Sequence, residues 1–246
     1  MKPLSAVELL AIWEEGLDQS LLEKTLRLLS KACSANDYND MGLLSIGERD
    51  VRLLQLREWM FGTRLISMAR CSQCAELTEW ETGTANLHLQ QFPAELAVRS
   101  FIFEKDGYSI NFRLPNTHDI TNAITDPVYQ ANQKKMLFDC IVAVDVKGQK
   151  FEEADLPGDV LDALSRRMEE EDPQADIRMK IECPACMHEW EVRFDIVSFL
   201  WAEINNWAQR IMQEVYLLAR SFGWNEKDIL NMSARRRQLY LQMIGT

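Results

Sequence analysis

Apolar residues at helical spacing dominate the first part of the chain. S-x-x-E capping boxes begin at Ser5 and Ser45, and each opens a predicted helix. Another helix is predicted between them, from about Leu21 to Cys33. The helix after Ser45 is IGERDVRLLQLREWMFG, and we expect it to end at Gly62. Its expected core residues are Val51, Leu54, Trp59 and Phe61.

The middle of the chain contains the clearest strand pattern. In FIFEKDGYSINFRL, residues 101–114, aromatic and aliphatic residues alternate on both sides of Asp106-Gly107, which predicts a β-hairpin. Asp126-Pro127 is typical of a helix start, and we predict a helix from there to about Val144. A further helix is predicted over 156–172. Two strands, DIRMKIE and HEWEVRF, should follow it.

A long amphipathic helix is predicted from Val197 to Gly223, followed by two short helices at about 226–230 and 234–244. The apolar face of the long helix comprises Leu200, Ile204, Trp207, Ile211, Val215, Leu218 and Phe222. The fold class expected from these elements is α+β and mostly helical. Three segments are predicted: N-terminal helices at 1–68, a middle region at 69–194 with the hairpin (101–114) and helices (127–172), and C-terminal helices at 195–246 that pack on the N-terminal ones.

The net charge limits the possible partners. The chain has 246 residues and a formal charge of −11, which disfavours binding to nucleic acid or to an anionic membrane surface. No signal peptide and no apolar run of membrane-spanning length is visible in the sequence. We therefore expect a cytoplasmic protein, in which cysteines are not paired as disulfides.

Four of the six cysteines form two C-x2-C pairs, Cys71 with Cys74 and Cys183 with Cys186, and each pair precedes a Glu-Trp-Glu sequence. One pair supplies two thiolates, whereas a closed structural zinc site needs four ligands. Although 108 residues separate Cys74 from Cys183, an insertion that contains the hairpin and helices would let the pairs meet. The sequence thus predicts a zinc-ribbon-like site, split by a long insertion, that binds one structural Zn²⁺.

Two other interpretations of the cysteine pairs remain open. His188 could replace one cysteine or donate a hydrogen bond to a ligand, or each pair could be accidental or redox-active. Cys33 and Cys140 lie in predicted helices, where buried apolar packing is the simplest role. His88 and His118 belong to no catalytic motif, and no nucleophile or phosphate-binding loop is visible. We therefore expect no enzymatic activity.

Three consecutive arginines stand at the start of the last predicted helix: Arg235, Arg236 and Arg237. The helix dipole disfavours cations at this end. They should therefore pair either with acids of the same protein, such as those at 169–172, or with acidic groups of a partner.

Several sequences together resemble the baseplate hub assembly chaperone family of contractile-tailed, T-even-type phages and phage-like contractile injection systems. They are IGERDVRLLQLREWMFG leading into CSQC, FRLPNTHDI, CPAC before the long helix, and LARSFGWNEKDILNMSARRRQLYLQMI at the end, with its most specific residues between Gly223 and Leu241. The resemblance runs from about Ser45 onward and is most specific in that last stretch.

The resemblance implies a non-enzymatic factor that helps the central hub of a baseplate to assemble, with hub proteins as partners. We expect its contact residues to be Trp224, Arg235, Arg236 and Arg237. Two alternatives are a permanent structural component of the baseplate and, less favoured by the charge, a zinc-ribbon adaptor that binds nucleic acid.

Overall fold

The structure is a computed structural model that describes residues 1–33, 38–89, 92, 99–128, 134–146 and 149–244. The chain divides into two compact units. Unit 1 combines both ends of the chain, Met1–Asn36 and Ile196–Thr246, and unit 2 is Asp37–Asp195. The helix after Ser45, which was expected to belong to the N-terminal segment 1–68, thus lies in unit 2.

The described helices are α1 (Ala6–Glu15), α2 (Leu21–Cys33), α3 (Tyr38–Gly42), α4 (Ile46–Phe61), α5 (Thr117–Thr125), α6 (Lys135–Asp139), α7 (Gly158–Glu171), α8 (Ile196–Phe222), α9 (Glu226–Asn231) and α10 (Ala234–Ile244). The described strands are β1 (Arg64–Arg70), β2 (Leu77–Gly83), β3 (Ser100–Lys105), β4 (Tyr108–Arg113), β5 (Ile141–Val146), β6 (Gln149–Lys150), β7 (Arg178–Glu182) and β8 (Glu189–Arg193). The predicted α+β, mostly helical class is confirmed. No helix in these parts of the chain is long and apolar enough to cross a membrane.

The described strands of unit 2 form three antiparallel sheets. The pairs β1–β2 and β7–β8 are two-stranded ribbons, and β3-β4-β5-β6 is a four-stranded sheet. The predicted hairpin of β3 and β4 is confirmed, with Asp106 at φ 51° and Gly107 at φ 86° in its turn. Asparagine, aspartate and glycine tolerate these angles best, which explains the turn sequence.

The helix predicted from Asp126 to Val144 is wrong in its second half. Residues 129–133 lie outside the described residues, α6 follows, and Ile141–Val146 is strand β5. The sequence IVAVDV is rich in β-branched residues, which favour strands. Pairing with β4 places Val144 in the core at 3% exposure.

Helix α7 packs on the four-stranded sheet and forms the main core of unit 2. Ile110 and Phe112 of the sheet and Leu164 of the helix are completely buried. Phe101 stacks on Phe112, with ring centroids 5.4 Å apart. Cys140 also lies in this core, as the sequence predicted.

Helix α4 supports both ribbons of unit 2. At its C-terminal end, the Arg57 guanidinium donates to the carbonyl oxygens of Gly62 and Arg64, each at 2.6 Å, where β1 begins. At its N-terminal end, the Gly47 N–H donates to the Asp172 carboxylate at 2.9 Å, shortly before β7. A Cβ at Gly47 would lie 1.8 Å from an Asp172 oxygen, so only glycine allows this contact.

Two details of α4 differ from the sequence prediction. The Ser45 hydroxyl caps the helix by accepting from the Glu48 N–H, but Glu48 pairs with Arg52 at 2.9 Å instead of completing the capping box. Trp59 is 43% exposed and is not a core residue. Arg52, two turns earlier on the same face, is buried, so the covered part of this face ends before Trp59.

The described secondary-structure elements of unit 1 are all helices. Leu10 of α1, Ala208 and Ile211 of α8 and Leu230 of α9 form a buried cluster. The Trp201 indole N–H donates to the Thr25 hydroxyl at 2.8 Å, which joins α8 to α2. The predicted apolar face of α8 is buried at Leu200, Ile204, Ile211 and Leu218, half-buried at Trp207 and Val215, and 38% exposed at Phe222.

We predict that Ile211→Ala destabilises unit 1 by about 2–5 kcal/mol, because it removes a completely buried side chain from a close-packed cluster. Met212→Ala, one residue along α8 at a side chain that is 39% exposed, should change the free energy of unfolding by less than about 0.5 kcal/mol. Urea unfolding followed by tryptophan fluorescence measures both. Equal effects of the two substitutions would contradict this packing.

Candidate metal centre

Each C-x2-C pair occupies the turn of a two-stranded ribbon. The first turn joins Arg70 to Leu77, which are paired at the end of β1–β2. The second joins Glu182 to Glu189, which are paired at the end of β7–β8. The antiparallel pairs β1–β2 and β7–β8 therefore hold both cysteine pairs at the ends of hairpins, of which the sequence predicted the second.

The two turns have the same backbone hydrogen bonds. The N–H of Cys71 donates to the carbonyl oxygen of Glu76, and that of Cys183 donates to His188, both at 2.9 Å. In the first turn the Gln73 N–H also points at the Cys71 sulfur, 3.4 Å away. A backbone N–H so directed stabilises a thiolate, as metal ligation requires.

A second shared bond closes each turn through a residue in the left-handed region. Ala75 (φ 61°) donates to the Cys71 carbonyl and Met187 (φ 60°) donates to that of Cys183, both at 2.9 Å. Non-glycine residues adopt this conformation at a cost. The same strained position in both turns shows that the resemblance of the two half-sites extends to the backbone.

The four sulfurs of the cysteine pairs lie in one cluster, all within 4.8 Å of one another. The Sγ atoms of Cys71 and Cys186 are 3.7 Å apart, and those of Cys74 and Cys183 are 3.6 Å apart. Sulfurs about 2.3 Å from a tetrahedral Zn²⁺ are about 3.8 Å apart, whereas a disulfide requires about 2.05 Å. The spacing therefore fits four ligands around one ion and not a pair of disulfides.

Close approach separates the pKa values of the thiols. Burial raises the pKa of Cys183, but N–H groups of Cys186 and Ala185 and the neighbouring thiol groups outweigh it and lower this pKa to about 6. For Cys186 the His188 N–H lowers the pKa, but burial and the neighbouring thiols raise it to about 12. The pKa of Cys183 is thus lowered while those of Cys74 and Cys186 are raised, and a bound cation would favour the thiolate form of these groups.

His188 lies outside the group of sulfurs. Its Nε2 is 3.0 Å from the hydroxyl of Ser72, and its ring stacks on Trp190. Ser72 belongs to the other turn, so this hydrogen bond joins the two half-sites directly. The potential metal ligands among the described residues are the four cysteines and not His188; Ser72 carried no signal in the sequence.

The three arginines that were expected to contact a partner, Arg235, Arg236 and Arg237, have different environments. Arg237 is 5% exposed, and its guanidinium donates to Glu214 at 2.8 Å and to the Met232 carbonyl at 2.6 Å. It fastens α10 to α8 through an acid that the sequence analysis did not single out. Arg235 and Arg236 are exposed.

Trp224 belongs to a cluster of aromatic rings that the sequence analysis did not predict. Its ring centroid is 4.5 Å from that of Phe222 and 4.8 Å from that of Tyr240. The Arg236 guanidinium lies over the Tyr240 ring, 5.7 Å from its centroid. The spacing of Arg236 and Tyr240, four residues apart in a predicted helix, was the signal that could have indicated this contact.

A comparison with known families assigns the chain to one of them. A protein-family model described as "T4 bacteriophage base plate protein" matches residues 5–201, which is most of the chain and includes all four cysteines. The chain belongs to this family. No curated protein and no solved structure gives a significant match.

The match to the T4 base plate family differs in extent from the resemblance found in the sequence. It begins at residue 5, so the N-terminal helices, in which no resemblance was found, lie within it. It ends at residue 201, so the stretch from Gly223 to Leu241 lies beyond it. The family assignment therefore rests on the cysteine-bearing unit and the N-terminal helices, and not on Arg235, Arg236 and Arg237.

We predict that Arg237→Ala lowers the free energy of unfolding by about 3 kcal/mol, because it leaves Glu214 partly buried without its cation. Arg236→Ala, at the neighbouring exposed position, should cost less than about 1 kcal/mol, the usual value of a surface cation–π contact. Thermal unfolding followed by circular dichroism compares them. Similar midpoints for the two variants would show that the Arg237–Glu214 pair does not fasten α10.

Proposed function

We propose that this T4-type base plate protein is a non-enzymatic assembly factor for the baseplate hub of a contractile phage tail or injection system. The family match over residues 5–201 carries the proposal. The protein would act in the cytoplasm of the producing cell, where tails are built, and its partners would be hub proteins. A permanent place in the baseplate is the second candidate, because the family description fits it equally well.

The proposal includes one structural zinc ion bound by Cys71, Cys74, Cys183 and Cys186. Four thiolates at tetrahedral spacing suit a soft or borderline cation such as Zn²⁺. Four protein ligands leave no position for a water molecule, so the ion would stabilise unit 2 without taking part in hydrolysis. The His188–Ser72 bond supports this arrangement, since groups around the ligands orient them.

We predict one zinc per chain in protein purified without chelator, measured by mass spectrometry of the metal. Cys71→Ser with Cys183→Ser should abolish zinc binding and lower the melting temperature, because metal-binding free energy contributes to folding. Cys33→Ser, which changes a cysteine outside the sulfur cluster, is the matched control and should retain the metal. Zinc-free wild-type protein of unchanged stability after zinc addition would contradict the site.

If the protein is an assembly factor, tail assembly should require it, but the finished tail should not contain it. Deleting the gene from the parent phage or injection-system cluster should abolish contractile tails, and complementation should restore them. Purified wild-type tails should lack the protein in quantitative mass spectrometry. Its presence in stoichiometric amount would favour a permanent component, and normal tails without the gene would refute both roles.

A further inference from the structure

The exposed side of α10 combines cations with large apolar side chains. We call it the α10 surface, and it consists of Arg235, Arg236, Leu239, Tyr240 and Met243. Leu239 is 50% and Met243 64% exposed. Positions three, four and seven residues apart share one face of a helix, so these side chains form a continuous strip.

The charge of this region is opposite to that of the rest of the protein. Residues 216–244 contain five cationic and two acidic side chains, a formal charge of +3, within a chain of −11. The nearby acid Glu214 is bound to Arg237 and Gln238. Arg235 and Arg236 form no ion pair within the described residues, so the positive charge of the α10 surface is not balanced locally.

Arg236 is held in place without a carboxylate. It lies over the Tyr240 ring and is 3.4 Å from the Tyr240 hydroxyl. Tyr240 in turn packs on Trp224 and Phe222. A guanidinium supported by rings has already lost much of its conformational freedom, so less entropy remains to be lost when it binds.

We propose that the α10 surface binds an acidic segment of a partner protein, with partner carboxylates on Arg235 and Arg236 and an apolar side chain against Leu239 and Tyr240. Arginine and tyrosine are the residue types that most often dominate such contacts. A nucleic acid is disfavoured, because the remainder of the chain carries a charge of −14 and would repel phosphates. That the partner is a hub protein rests on the proposed function.

Arg235→Glu is the sharpest test, because Arg235 is exposed and reversing its charge leaves the Arg236–Tyr240 contact intact. Arg210→Glu makes the same charge change at an exposed position of α8 and serves as the control. The probe is a short fluorescein-labelled peptide of glutamates around a central leucine, measured by fluorescence polarisation. We expect wild type and Arg210→Glu to bind alike, and Arg235→Glu to bind about tenfold or more weakly.

Several results would overturn the proposal. These are no binding of the peptide to wild type, equal losses in both variants, or tighter Arg235-dependent binding of a DNA duplex than of the peptide. Concentration-dependent self-association that Arg235→Glu abolishes would assign the surface to a second copy instead. Unchanged circular dichroism of both variants shows that the fold is retained.

Tail assembly separates this inference from the proposed function. If the gene is required but Arg235→Glu supports normal tails, the proposed binding role of the α10 surface is refuted and the assembly role is retained. If Arg235→Glu loses peptide binding but tails form without the gene, the binding role of the surface is supported and the assembly role is refuted. Loss of tails with Arg235→Glu but not with Arg210→Glu supports both.

Discussion

The fold of unit 2 brings four thiol groups to one point. Sulfurs 3.6–3.7 Å apart cannot all be ionised unless a cation lies among them, since each thiolate opposes the ionisation of its neighbours. The two turns that carry them are alike in their backbone hydrogen bonds and in their left-handed fourth residue after the first cysteine. The site is therefore a junction between two equivalent ribbons, and the four-stranded sheet and its helices form the long connection between them.

Helix α4 provides a second junction, which involves none of the four cysteines. Arg57 binds the chain where the first ribbon begins, and Asp172 binds Gly47 shortly before the second ribbon. Gln174, completely buried, adds hydrogen bonds to Leu87 and Leu89 after the first ribbon. Buried charges on α4 are tolerated because they are paired, which also explains why so polar a helix lies inside the unit.

Local signals in the sequence were sufficient for the hairpin and the long helix, because the turn Asp106-Gly107 and the spacing of apolar residues are decided by neighbouring residues. The meeting of the cysteine pairs, 108 residues apart, followed instead from the four ligands that a closed zinc site needs. Strand β5 and Trp59 were predicted wrongly because pairing with β4, and the extent to which other elements cover α4, are set by distant residues. Arg237 shows the same limit: its partner Glu214 lies on another helix, and nothing near Arg237 in the sequence indicates it.

The distance between the half-sites along the chain has a consequence for synthesis. A ribosome makes Cys71 and Cys74 long before Cys183 and Cys186, and during that interval the first pair can hold a metal ion only by two sulfurs. Two sulfurs are only half of the four ligands that a closed structural zinc site needs. Stable binding of the proposed zinc ion would wait until the second ribbon has emerged, by which time nearly all of unit 2 is available to fold. Metal loading would then mark the completion of the unit, and truncated chains would remain unloaded and open to proteolysis.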